Sequence, residues 1–308
     1  MSTVGFFTSP ACSLHDMGDE HPECPARLDA IQDQLISSGL EFVLRHFEAP
    51  QATRAQLERV HTPEYVESIF ARSPRHGLEI LDEDTRMCPH SLEAALHAAG
   101  AAVEAVDKVI AGEVNSAFCS VRPPGHHAEM GRAMGFCLFN NIAIGAAHAR
   151  SAHGLERVAI LDFDVHHGNG TEDFVAGRDG YLLCSSFQAP LYPFTGTGEV
   201  PGNIVNTPLE AGANGDALRA LVETDWLPAL EAFRPQMLFI SAGFDGHLED
   251  HMAQLRFRED DYRWVTEKLR EFAERHCEGR IVSALEGGYA LSALGRSVVA
   301  HLNGLIGS

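Results

Sequence analysis

Short apolar runs alternate with longer helical patterns along the whole of this 308-residue chain, and that alternation constrains its fold more than any other feature. The strand-like runs are Val4–Thr8, Glu41–Arg45, Ser116–Val121, Arg157–Asp164, Gly180–Phe187, Gln236–Gly243 and Arg280–Leu285. Helical patterns cover Pro25–Ser38, Ala55–Val60, Pro63–Ala71, Ser91–Ile110, Asn140–Ser151, Asp216–Ala232, Asp260–Arg275 and Leu291–Leu305. Their apolar residues recur three and four apart, as in Leu92, Ala95, Leu96, Ala99, Val103, Val106 and Ile110. No repeat, low-complexity segment or Pro/Gly/Ser-rich linker divides the chain. The pattern predicts one α/β domain over residues 1–308, built on a mostly parallel sheet flanked by helices.

In such sheets ligands bind beyond the C-terminal ends of the strands, so the residues just past each strand matter most. Arg122-Pro-Pro-Gly-His-His-Ala-Glu129 comes after Ser116–Val121. Gln188-Ala-Pro-Leu-Tyr-Pro-Phe-Thr-Gly196 comes after Gly180–Phe187, Phe244-Asp245 after Gln236–Gly243, and Glu286-Gly-Gly-Tyr289 after Arg280–Leu285. The central stretch is Val158–Thr171, where four apolar residues lead into Asp162-Phe-Asp-Val-His166. Strand alternation predicts that Asp162, Asp164 and His166 share a face, with Gly168-Asn-Gly170 ending the strand and Thr171-Glu172 opening a helix. Two carboxylates and an imidazole at the end of a buried strand need a partner, and a divalent metal supplies one. The alternative is a solvated strand edge.

Composition limits the chemistry. Seven cysteines without a C-x-x-C pair make neither a disulfide framework nor a thiolate zinc site, so a metal falls to His and carboxylate. A formal charge of −20 argues against nucleic-acid binding, which needs clustered Lys and Arg. No apolar run approaches a membrane span and no leader pattern opens the chain, which predicts a cytoplasmic protein without a membrane partner.

Asp164, His166 and Asp245 make a three-ligand set with an open position, suited to zinc and open to iron, manganese or cobalt. His126 and His127 follow a rigid Pro-Pro-Gly turn and are candidates for proton transfer, or alternatively further ligands or a helix start. Tyr289 is a candidate hydrogen-bond donor to an oxyanion, or else a rim residue. Together these parts predict metal-assisted amide hydrolysis.

His21-Pro-Glu-Cys-Pro-Ala-Arg-Leu28, Arg122-Pro-Pro-Gly-His-His-Ala128, Met134-Gly-Phe-Cys-Leu-Phe-Asn-Asn141, Asp162–Thr171, Ser241-Ala-Gly-Phe-Asp245 and Glu286-Gly-Gly-Tyr289 occur in this order over nearly the whole chain. Together they resemble the histone deacetylase family, and within it the class II branch with its bacterial deacetylase-like and acetylpolyamine amidohydrolase relatives. The resemblance implies an arginase-like α/β fold with an eight-stranded parallel sheet and one catalytic zinc on Asp164, His166 and Asp245. It makes His126 and His127 the tandem histidines and Tyr289 the carbonyl-polarising tyrosine. Some relatives carry His at that last position, so Tyr289 points to an active deacetylase. Asp162 is implied behind His126, and also in a structural potassium site with Asp164, His166, Ser186 and Phe187. Asn169 stands where other branches place Asp beside the second histidine. Its neutrality favours His126 as base and His127 as acid, while His167 is left as a packing residue. Gly135, Phe136, Tyr192, Met252 and Gly287 are implied around a narrow substrate tunnel.

Two positions depart from the pattern. Cys24 stands where relatives often have Arg, and Gly246–Met252 lacks the usual Gly-Asp-Pro character, leaving Met252 near the gatekeeper position with Glu249 and Asp250 close by. A neutral gatekeeper favours an acyl-lysine substrate. The alternatives are an acetylpolyamine, which the charge of −20 suits, and a non-catalytic binder of acylated amines. A homo-oligomer is compatible with all three, and an arginase-type reaction lacks the further metal-ligand motifs it needs.

Overall fold

Residues 2–307 are described by the computed structural model. The strands are β1 (Val4–Thr8), β2 (Arg45–Glu48), β3 (Glu79–Ile80), β4 (Arg86–Met87), β5 (Ser116–Cys119), β6 (Val158–Asp162), β7 (Tyr181–Gln188), β8 (Ile204–Leu209), β9 (Leu238–Ala242) and β10 (Ile281–Leu285). The helices are α1 (Ala26–Ser38), α2 (Arg54–Leu57), α3 (Pro63–Arg72), α4 (Ser91–Ile110), α5 (Asn141–His153), α6 (Asn169–Val175), α7 (Gly215–Leu221), α8 (Leu227–Phe233), α9 (Glu259–His276) and α10 (Leu291–Ile306). Eight strands pair in the order β2-β1-β5-β10-β9-β6-β7-β8. Every pairing is parallel, while β3 and β4 form a separate antiparallel hairpin. β5, β6, β9 and β10 are buried throughout, as expected of strands covered on both faces.

Helices flank this sheet. α4 and α5 pack on each other and on the central strands, while α1, α10 and α9 form a second packed group. Small residues allow the close approach: α4 buries Ala94, Ala95, Ala98, Ala99, Ala101, Ala102 and Ala105, and a Cβ on its Gly100 would collide with the Pro50 carbonyl.

The structure departs from the sequence expectations at several places, four of them with a clear physical reason. The strand expected at Glu41–Arg45 begins at Arg45, because Gly39 caps α1 with φ 78° and a 3-10 turn follows over Leu40–Phe42. Phe42 and Val43, which gave the run its apolar character, are exposed. β8 was not expected: it is an edge strand, half-exposed, interrupted by Asn206, Thr207 and Pro208. The helix expected over Asp216–Ala232 is split into α7 and α8 by a π turn at Val222–Trp226. Pro228 has no N–H for the carbonyl four residues back, and the widened turn absorbs that loss. Finally, the strand expected to reach Asp164 stops at Asp162.

Two buried histidines beside the framework give a pH dependence. His61 Nδ1 bonds the Glu129 carbonyl at 2.9 Å, and Nε2 accepts from Asn140 N–H at 2.9 Å. His301 lies between Thr266 Oγ1 at 2.7 Å and Ser283 Oγ at 2.9 Å. Burial lowers His61 to about 4 and His301 to about 3. At these two rings the unfolded chain binds extra protons below about pH 6.5, so their contribution to stability falls as pH drops through that window. The stability difference between wild type and His61→Gln, measured by urea unfolding, should therefore shift against wild type by about 2 kcal/mol between pH 6.5 and 5. A difference that does not change with pH sinks the attribution.

Candidate active site

The four adjacent central strands β5, β10, β9 and β6 end on one rim, and their loops carry the tandem histidines, Tyr289, Asp245 and the Asp162–His166 stretch. Beyond Asp162 the chain does not continue the pleat. Asp162 Oδ1 accepts Asp164 N–H at 3.0 Å, and Asp164 Oδ1 accepts His166 N–H at 2.8 Å. Two successive Asp-capped turns, rather than strand alternation, bring Asp164 and His166 to the centre. α6 then opens at Asn169, two residues before the expected Thr171.

Asp164, His166 and Asp245 are all buried, and one ligand atom from each lies within 4.8 Å of the others. His166 Nδ1 is 3.0 Å from Asp164 Oδ1 and 3.2 Å from Asp245 Oδ2. Tetrahedral zinc with bonds of ~2.0–2.1 Å has ligand–ligand edges of about 3.3 Å, so the trio has the right scale. Asp245 Oδ1 accepts Val165 N–H at 3.0 Å, whereas the buried Oδ2 has no hydrogen-bond partner among the described residues. Burial and the neighbouring Asp164 raise Asp245 to about 6. Burial alone would lower His166, but the two carboxylates outweigh it and raise it to about 10. A site that orphans one carboxylate oxygen and draws positive charge fits a metal cation. Gly287 closes it from behind: its N–H donates to Asp164 Oδ2 at 2.8 Å, and a Cβ there would collide with Asp245 Oδ2.

The contrast with a second cluster is informative. Asp107 Oδ1 takes His148 Nε2 at 2.7 Å and His153 Nε2 at 2.6 Å, while Arg59 bonds His148 Nδ1 at 2.6 Å. Those contacts already satisfy the cluster, which clasps α4 to α5 without requiring a cation.

His126 Nδ1 bonds Asp162 Oδ2 at 3.0 Å, and His127 Nδ1 bonds Asn169 Oδ1 at 2.8 Å. The amide of Asn169 in turn donates to Glu129 Oε1 at 2.8 Å, which fixes its orientation. The two rings are 4.1 Å apart. Burial disfavours protonation of both. At His126 the charges of Asp164 and Asp162 overcome it and hold the ring well above its ordinary value, whereas His127 stays well below. Burial likewise keeps the Tyr289 phenol un-ionised.

A cavity of about 290 Å³ reaches this centre, lined by Asp84, His127, Gly135, Phe136, His166, Leu191, Tyr192, Met252 and Tyr289. The structure thus places Gly135, Phe136, Tyr192 and Met252 on the chamber wall and Gly287 behind the carboxylates. Ser186 and Phe187 are buried on β7, next to Ser185, the register partner of Asp162. His167 turns away, held by Thr195 Oγ1 at 2.8 Å and Glu172 Oε2 at 2.9 Å. Cys24 is half-buried.

Two residues of the site were not singled out from sequence. Asp84 sits in an acidic run, Asp82-Glu-Asp84, that reads as solvated charge; its Oδ1 accepts Gly135 N–H at 3.1 Å, and Thr85 Oγ1 accepts Phe136 N–H at 2.9 Å. These bonds hold Phe136 in the left-handed region at φ 69°. Glu286 is fully buried, and Oε2 accepts Gly125 N–H at 2.7 Å and His126 N–H at 3.1 Å. Its other oxygen accepts from Ser241 Oγ at 3.0 Å, so one carboxylate ties the loops after β5 and β10 to the end of β9.

The sequence profile described as "Histone deacetylase domain" matches residues 21–305. The chain belongs to the histone deacetylase family. Among its relatives, a histone deacetylase-like amidohydrolase of Pseudomonas aeruginosa is 39% identical over 311 residues, covering 98% of this chain and 80% of that protein. A probable deacetylase of Archaeoglobus fulgidus is 37% identical, covering 90% of this chain and 79% of that protein. The crystal structure of the HDA15 HD domain superposes with a TM-score of 0.93 at 32% identity, covering 100% of this chain and 90% of that one. The eight-stranded parallel sheet is therefore that of the histone deacetylase fold, and no helix among the described residues is long and apolar enough to cross a membrane.

Proposed function

We propose that the protein is a zinc-dependent amidohydrolase that removes an acetyl or other acyl group from an N-acyl-lysine side chain or a related amide. The observation that carries this reading is the chamber, whose wall brings His166, His127 and Tyr289 together. Asp164, His166 and Asp245 would hold the zinc, which when bound would supply Lewis-acid polarisation of the amide carbonyl and a water of lowered pKa. His126 and His127 handle the protons, one ring taking a proton from the water and the other giving one to the departing amine. The Tyr289 hydroxyl donates to the carbonyl oxygen as it gains charge. Phe136 and Tyr192 supply aromatic wall for a methylene stem. Potassium, held by Asp162 with Asp164, His166, Ser186 and Phe187, is proposed as a structural partner of this rim. The fully buried Asp162 and Ser186 beside it suit that role.

The gatekeeper loop supports an acyl-lysine substrate. Asp250 accepts Tyr289 N–H at 2.6 Å and Ala290 N–H at 3.0 Å, and Glu249 pairs with Arg296 at 2.7 Å. Both acids are thus engaged, and Met252 is the side chain this loop presents to the chamber. An acetylpolyamine is the second reading, favoured by the Asp84 carboxylate on the chamber wall. Turnover of an acetyl-lysine peptide and of N-acetylputrescine should be compared on one preparation. An advantage of ~10-fold or more in kcat/KM for the peptide is expected. Preference for acetylputrescine selects the second reading, and failure on both substrates overturns the deacetylase reading.

A further inference from the structure

The segment His21–Leu28 carries part of the family signature, yet none of its residues enters the chemistry above. Two of them lead directly behind the site. Glu23, Arg27, Arg122 and His15 are each fully buried. The Glu23 carboxylate pairs with Arg122 at two points, Oε1 with Nε and Oε2 with Nη2 at 2.6 Å. Oε1 also accepts from Arg27 Nη1 at 3.1 Å, and His15 Nε2 lies 3.4 Å from Oε2.

Each arginine then reaches a different catalytic loop. Arg122 directly precedes the Pro-Pro-Gly turn before His126, and its Nη1 donates to the carbonyls of Cys12 at 3.1 Å and His15 at 3.0 Å. Arg27 donates through Nε to the Gly288 carbonyl at 2.7 Å and through Nη2 to the Glu286 carbonyl at 2.5 Å. Its guanidinium lies 4.9 Å from the centre of the Tyr289 ring. Burying one carboxylate between two guanidiniums is a costly way to fill a core, since apolar side chains of similar size do it at least as well. What the arrangement provides is geometry, because a forked guanidinium fixes direction as well as distance.

We infer that Glu23 is a positioning residue that sets the tandem histidines and Tyr289 relative to each other. It does so through Arg122 at the root of one loop and Arg27 at the root of the other. This role rests on the amidohydrolase reading above. Misplacing a catalytic group by about 1 Å costs ~10²-fold. Glu23→Gln should therefore lower kcat by about 10–100-fold, with KM within about threefold and bound zinc unchanged. Arg122→Lys keeps a charge opposite Glu23 but not the fork, and should show the same kcat-specific loss. It decides the matter where Glu23→Gln does not fold.

The discriminating measurement is a double-mutant cycle with Tyr289→Phe. If Glu23 acts by placing the tyrosine, its substitution should cost several-fold less in the Tyr289→Phe background. Fully multiplicative losses, or a fall in kcat that only tracks the folded fraction, overturn the inference. Wild-type protein inert on every acylated amine would instead sink the underlying reading. Active wild type with an equally active Glu23→Gln variant sinks this one alone.

Discussion

Asp245→Asn should abolish metal binding and activity together, with turnover below about one thousandth of wild type. The amide keeps an oxygen for Val165 N–H, the bond Asp245 Oδ1 now accepts at 3.0 Å, so the local backbone has no reason to move. What disappears is the charge on Oδ2, the buried oxygen without a hydrogen-bond partner among the described residues. In metal-stripped protein that charge is a liability, because it is buried beside Asp164. The variant should therefore melt no lower than wild type after chelation. Added zinc should raise the melting temperature of wild type, as any ligand specific to the folded state does, and leave the variant unmoved. Elemental analysis and thermal melts on the two proteins check both halves. A variant that retains a full equivalent of zinc places the third ligand elsewhere.

Much of this site was legible in the sequence because its residues stand where strands end. Asp245 and Tyr289 follow apolar runs that became β9 and β10, and the tandem histidines follow β5. Convergence on one rim follows from parallel topology, whatever the details of each loop. The Asp162–His166 stretch shows the limit of that logic. Period-two alternation singled out residues that do cluster here, but not for the reason it gives, since the strand ends at Asp162 and side-chain capping bonds do the placing.

The residues that escaped share one trait. Glu23, Asp84 and Glu286 are carboxylates whose work depends on partners far away in sequence: Arg122, Gly135 and the Gly125–His126 backbone. Read locally, a carboxylate is solvated charge, and only the tertiary structure shows the buried N–H groups it serves. β8 escaped for the opposite reason. An edge strand pairs on one side and needs no apolar pattern, so Asn206, Thr207 and Pro208 hid it.

Tyr289→Phe should lower kcat by ~10²–10³-fold, the usual cost of losing one oxyanion donor, while zinc stays bound. The structure makes this substitution unusually clean. No described group hydrogen-bonds the Tyr289 hydroxyl, so its removal breaks no internal bond and leaves no partner stranded. The ring keeps its contacts, edge-on to Phe136 at 5.9 Å and beneath the Arg27 guanidinium, and the backbone N–H keeps Asp250. Stability should stay within about 0.5 kcal/mol of wild type. With fold, ring and metal held constant, the loss can only come from the phenol's proton, which burial keeps on the oxygen. The effect should fall on kcat, with KM changing little, because the bond strengthens as the carbonyl oxygen gains charge. Steady-state kinetics on an acetyl-lysine peptide, with zinc content measured on the same sample, tests each part. Near wild-type turnover would remove Tyr289 from the chemistry and leave the metal and the tandem histidines to carry it.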